Sequence, residues 1–166
     1  MALSDKEILR QKKLGNIIIE PFNQRNLATS SYDVRLGEWY FREQRQNFDI
    51  YNMYAKSQTD KVWGTRPHKA DLAKNALKDF NFEGVKPTDK IILIAPGETI
   101  LAHTEEFIGG KKEITTKMQA RSSMGRNFIE VCKCAGWGDV GYTNRWTMET
   151  TNNPRFYTIP LVVRRS

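Results

Sequence analysis

Residues 90–104, "KIILIAPGETILAHT", set two β-branched runs on either side of a Pro-Gly pair. Neither run is long enough for a stable helix, and Pro96 with Gly97 is a turn signal, so the stretch predicts two strands joined by a tight connection. Working outward, "NIIIEPF" predicts a strand ended by Pro21, and "YDVRLGEWYF" predicts another with Gly37 as a bulge or bend. Downstream, "EITTKMQARSS", "NFIEVCKCAGW", "NRWTMETTN" and "FYTIPLVVRR" continue the series. Short strands at such regular spacing predict a mainly β barrel or sandwich.

Two helices interrupt this pattern. Ser4 followed by Glu7 makes a capping box, which predicts a helix over Asp5–Lys13 stopped at Gly15. "HKADLAKNALKDF" sets Leu72, Ala76, Leu77 and Phe80 on one side of a second helix, and the rest of residues 42–86 reads as loop.

The chain has 166 residues, about one domain, enough to bury roughly two thirds of its unfolded surface. Its 26 Lys and Arg against 19 Asp and Glu leave a net charge of +7. That balance suits an anionic partner such as a nucleotide, a nucleic acid or an acidic lipid surface, and equally suits an ordinary solvated surface. No run approaches the roughly 20 apolar residues of a membrane span, and the first residues lack a signal-peptide core, so a soluble, cytoplasmic protein is expected. Cys132 and Cys134 lie one residue apart and would share a face of a strand without disulfide geometry. They read as buried apolar residues.

Several polar residues stand out as chemistry. Arg121, Ser122, Ser123 and Arg126 combine two hydroxyls with two guanidiniums where a strand gives way to irregular chain, a set that suits phosphate oxygens. The plainer alternative is a serine helix cap with surface arginines. Glu149 ends an alternating run, facing with Arg145 and Thr147 away from Trp146 and Met148. An acid there, near Arg126, could stay ionised and act as general base on water. Asp139 lies between glycines in "GWGDVGYTN" and could equally close an Asx turn; Asp33 has a similar reading at a strand entry. A zinc deaminase pattern of His-x-Glu and Pro-Cys-x-x-Cys is absent, as are a Ser-His-acid signature and a glycine-rich phosphate loop.

Six ordered segments together resemble the dCTP deaminase family of the dUTPase-like superfamily: "LSDKEIL", "IIIEPF", "SSYDVRLG", "APGETILAHTEE", "ARSSMGR" and "AGWGDVGYTNRWTMETTN". Residues 42–86 are not covered. The resemblance implies a single domain over residues 1–166 with a distorted jelly-roll β fold, and a homotrimer with active sites at subunit interfaces. The implied reaction is hydrolytic deamination of dCTP to dUTP and ammonia without zinc, with Mg²⁺ arriving on the triphosphate. dTTP is an implied inhibitor, and neither membrane nor nucleic acid is an expected partner.

Carried over by position, Glu149 is the catalytic glutamate, with Arg126 and Ser122 as its orienting partners and the Ala135 carbonyl holding the attacking water. Arg121, Ser122, Ser123 and Arg126 take the triphosphate. Asp139 meets the deoxyribose or, as in dUTPases, activates a hydrolytic water, and Trp137 and Tyr142 line the substrate.

Three departures shape the expectations. Gly138 replaces an aliphatic residue and should loosen the Asp139 turn. Asn144 replaces a glycine, and asparagine tolerates a positive φ there. The chain stops after "YTIPLVVRRS", short of the family's last strand and closing tail, so reduced or absent activity is expected. Two other readings stay open: a dUTPase or bifunctional deaminase–diphosphatase, and a nucleotide-binding protein without catalysis.

Overall fold

A computed structural model describes residues 2–44, 46–77, 82–133, 135–158 and 161–162. In chain order these form α1 (Asp5–Lys13), β1 (Ile17–Glu20), β2 (Trp39–Arg42), α2 (Lys56–Trp63), β3 (His68–Lys69), β4 (Asp71–Leu72), α3 (Ala73–Ala76), β5 (Lys90–Ile91) and β6 (Thr99–Gly110). There follow β7 (Thr116–Lys117), α4 (Ser122–Arg126), β8 (Ile129–Val131), β9 (Trp137–Gly138), β10 (Thr143–Asn152) and β11 (Leu161–Val162). The architecture is mainly β with short helices, as expected. Its sheets stay open rather than closing into a barrel among the described residues: six strands in the largest, three in β11–β5–β4 and two in β7–β9.

The 12-residue β6 is the axis of the large sheet. β10 runs antiparallel along one side of it, with β8 beyond; β2 and β1 share the other side, at opposite ends. Opposite Trp146 the register shifts, leaving Thr104 to Glu106 between the pairs Thr147–His103 and Arg145–Phe107. Such a bulge leaves polar groups unpaired, and one hydroxyl resolves this. Thr104 Oγ1 accepts the Trp146 N–H (2.9 Å) and donates to the Glu106 carbonyl (2.7 Å). Glu106 itself is fully buried, and both of its oxygens are used: Arg35 Nε donates to one (2.6 Å) and the Arg35 backbone N–H to the other (2.9 Å).

The Pro96-Gly97 turn sits where expected and is clasped by Glu98, which accepts from the Ala95 N–H (2.7 Å) and pairs with Arg42 (2.9 Å). Behind it, Ile92, Ile94, Ile100, Ala102, Cys132 and Met148 make the central core. Fully burying each isoleucine is worth about 1.5–3 kcal/mol. A second cluster of Ile8, Ile17 and Ile19 fastens α1 under β1.

Several expectations need correction. Ser4 caps α1 by accepting from the Glu7 N–H (3.3 Å), but the Glu7 carboxylate turns to Arg10 (2.6 Å) and Gln11 (2.7 Å) instead of back to the cap. Those two partners, Arg10 first, hold its carboxyl down to about 2. Of the helix expected over residues 68–80, the described residues form α3; those before it pair as β3 with β2 and β4 with β5, and residues 78–80, Phe80 among them, lie outside the described residues. Sheet partners there override a periodicity that suggested helix. α2, in the stretch read as loop, was not anticipated. Gly37 lies where the pairing with β6 is irregular, as expected of a bulge or bend: residues 37–40 stand opposite only 102 and 103, between the pairs Leu36–Thr104 and Phe41–Leu101, and a Cβ at Gly37 would overlap the His103 imidazole. Asn144 lies inside β10 opposite Ile108 with no positive φ, so no turn depends on it.

Candidate active site

Glu149 stands on β10 opposite Leu101, half-buried, with Trp146 and Met148 buried and Thr147 exposed, so the alternation read from sequence holds. Its carbonyl accepts the Cys132 N–H (3.0 Å) just where β8 ends. Cys132 has a φ of 58°, and its thiol, buried against Met118 Sδ (2.8 Å), is pushed up to about 11 by burial and then by the Glu149 charge. Cys134 lies outside the described residues.

From Cys132 the chain crosses to Ala135, which is exposed, and to Gly136, whose carbonyl accepts the Met118 N–H (2.7 Å). Between these two segments runs a groove of about 490 Å³, lined by Lys117, Gln119, Ala120, Cys132, Lys133 and Trp137 among others. Trp137 is 65% exposed, and Lys117 Nζ lies 5.6 Å from its ring centroid. Lys117 and Lys133 give the groove positive charge that the sequence reading missed. Both sit in runs with no motif of their own, and they meet only as lining of the folded groove, Lys117 on β7 and Lys133 in the bend after β8.

At one end of the groove the chain enters α4. Arg121 is its N-cap, no side chain caps the first turn, and Ser122 and Ser123 are its first residues rather than the cap. Ser122, Ser123 and Arg126 are exposed. Arg121 reaches Asp33 (3.3 Å), joining two of the sequence segments singled out above. α4 leads directly into β8, the neighbour of β10, so the hydroxyl cluster and Glu149 belong to the same end of the sheet. Among the described residues, however, no ion pair or hydrogen bond joins Arg126 to Glu149 within the chain.

Asp139 is exposed at the head of a turn closed by the Tyr142 N–H on its carbonyl (3.0 Å). Gly141 carries the positive φ of that turn (88°) and donates to the Gly110 carbonyl (2.7 Å). Gly138 does not loosen the turn as expected: it is buried, and the Trp146 ring fills the space a side chain would take. Tyr142 is half exposed, its ring edge-on to Trp146 at 6.4 Å.

Among the described residues, no three or more His, Cys, Asp or Glu gather into a metal site, and no helix is long and apolar enough to cross a membrane. Chemically, one chain offers a half-buried acid, a cationic groove beside it and an exposed hydroxyl–guanidinium cluster.

A family model described as dCTP deaminase-like matches residues 2–165. The chain is similar to a protein of Hydrogenobaculum named "dCTP deaminase, dUMP-forming", at 35% identity over 159 residues, covering 94% of this chain and 73% of that one. A protein of Methanococcus vannielii with the same name is 31% identical over 155 residues, covering 90% and 70%. In fold it resembles the crystal structure of 2'-deoxycytidine 5'-triphosphate deaminase from Agrobacterium tumefaciens, with a TM-score of 0.62 at 15% identity; the likeness covers 95% of this chain and 43% of that one.

Proposed function

The chain belongs to the dCTP deaminase-like family, and we propose that it hydrolyses the exocyclic amine of dCTP. Glu149 takes a proton from water and passes it to N3 as the hydroxide adds to C4 of the cytosine ring; it then takes the proton of the new C4 hydroxyl and gives it to the exocyclic amino group, which leaves as ammonia while the C4 carbonyl forms. One carboxylate can serve both transfers because each needs it in the form the previous step leaves. The Ala135 carbonyl holds the water. Trp137 and Tyr142 line the base and sugar, and Asp139 meets the deoxyribose. The substrate is the Mg²⁺ complex of the nucleotide, and Arg121, Ser122 and Ser123 receive its phosphates.

Arg126 and Ser122 complete the site by orienting Glu149, and we assign them to a second copy of the chain in a homotrimer. The lack of any Arg126–Glu149 pair within one chain supports that assignment, as do the exposed Phe128, Trp137, Val140 and Tyr142 around the site. The observation that carries the reading is Glu149: a half-buried acid on β10 whose carbonyl accepts the N–H of Cys132, in the wall of a groove of about 490 Å³.

A second reading adds cleavage between the α and β phosphates, giving dUMP and pyrophosphate. The name "dCTP deaminase, dUMP-forming" on both relatives favours it. Incubation with Mg²⁺ and dCTP, with ammonia and pyrophosphate measured separately, tests both. Ammonia alone indicates the deaminase; equimolar ammonia and pyrophosphate indicate the bifunctional enzyme. No ammonia from the wild-type chain overturns the proposal.

A further inference from the structure

Trp146 is buried beneath the Asp139 turn, only 6% exposed, and the proposed chemistry gives it no task. It is moored to β6 at two points: its backbone N–H on Thr104 Oγ1 (2.9 Å) and its Nε1–H on the Ile108 carbonyl (3.2 Å). From there the indole touches both ends of the turn. Its Cζ2–Cη2 edge lies against Gly138, where a Cβ would overlap the ring and crowd Thr116 Oγ1, and its face takes the edge contact with Tyr142.

The turn above is pinned through its backbone. Thr115 Oγ1 donates to the Gly138 carbonyl (2.6 Å), and the Gly141 and Tyr142 amides are bonded as described. The Asp139 carboxylate, by contrast, has no side-chain or backbone donor among the described residues. Its position is therefore set by the backbone, and the backbone rests on the indole.

We infer that Trp146 is a positioning residue for Asp139, and that the Trp146–Gly138 contact sets the preference for a 2'-deoxyribonucleotide over a ribonucleotide. The inference rests on the reading that Asp139 meets the sugar. Rejecting one added hydroxyl by space requires a wall that does not give way, because an apolar pocket that yields discriminates poorly against such an analogue. An indole tied at two points supplies that rigidity, and the absence of a Cβ at residue 138 brings the turn down onto it. A displacement of the turn by about 1 Å is enough to cost on the order of 100-fold in a positioned reaction.

The test compares dCTP with CTP in the full chain with Mg²⁺, by kcat/KM and independently by Kd from calorimetry. Trp146→Leu should lower the dCTP-to-CTP preference about 10-fold or more, mostly by lowering KM and Kd for CTP as the yielding wall admits the 2'-hydroxyl. Gly138→Ala alone should do the same by lifting the turn, and Gly138→Ala with Trp146→Leu should recover most of the preference, because the methyl then occupies vacated space. Trp146→Phe, which keeps a ring, should fall between and serves if Gly138→Ala does not fold; circular dichroism checks each variant. A folded Trp146→Leu whose preference stays within about twofold of wild type overturns the inference alone. A wild-type chain that neither binds nor converts either nucleotide overturns the deaminase reading and this inference with it.

Discussion

The bulge of β6 and the rim around Glu149 lie along the same pair of strands yet satisfy their polar groups in opposite ways. At the bulge, the buried side chains of Thr104 and Glu106 have partners inside the chain: Thr104 serves both strands, and Arg35 answers both oxygens of a carboxylate with no solvent access. At the rim, Ser122, Ser123, Arg126 and Asp139 are exposed. Polar groups closed upon themselves define a fold; polar groups held ready and open are what a ligand can use.

The comparison breaks if substitutions at the rim unfold the protein or those at the bulge spare it. The largest expected effect is on rate. Glu149→Gln should reduce dCTP deamination by about 100- to 10,000-fold, the range for loss of a general acid–base, while the urea midpoint stays near that of wild type. Next comes Arg35→Met, which strands the buried Glu106 charge; a loss of about 3–5 kcal/mol of stability is expected in urea denaturation.

Arg121→Ala sharpens the distinction, because its pair with Asp33 is 70% exposed on the arginine side. Stability should change by less than about 1 kcal/mol, whereas the Kd for dCTP measured by calorimetry should weaken about 10-fold if the guanidinium receives phosphate. The smallest effect is a pH dependence. The Cys132 thiol is raised from its ordinary 9.0 to about 11, so its contribution to stability is complete below pH 9 and is lost as the pH rises through 11. Urea midpoints between pH 8.5 and 11.5 should therefore fall more steeply in wild type than in Cys132→Ala.

Sequence made the inner framework legible where the signal was local. Ser4 announced α1, the Pro96-Gly97 turn announced β5 and β6, and strict alternation placed Glu149 on the open face of β10. Residues 68–72 misled because their strand pairing comes from β2 and β5, remote in sequence. Gly138 misled for a related reason. Read as a turn residue it implies looseness, but its neighbour in space is an indole eight residues on, and only the folded chain reveals that a large side chain fills the gap left by a missing one. The groove lysines were invisible because no spacing links β7 to the segment after β8.

β6 also has a consequence for how the protein is made. Ile17–Glu20 of β1 emerge from the ribosome long before Phe107–Gly110, the residues they pair with, have been translated. During that interval the nascent β1 lacks its β6 partner, and among the described residues its isoleucines can be sheltered by neighbours already synthesised: Leu3, Ile8 of α1, Phe22, Leu27 and Tyr32. That early apolar knot guards an unpaired edge against other growing chains, and a mutation that loosens it should lower the yield of soluble protein more than it lowers the stability of molecules that finish folding.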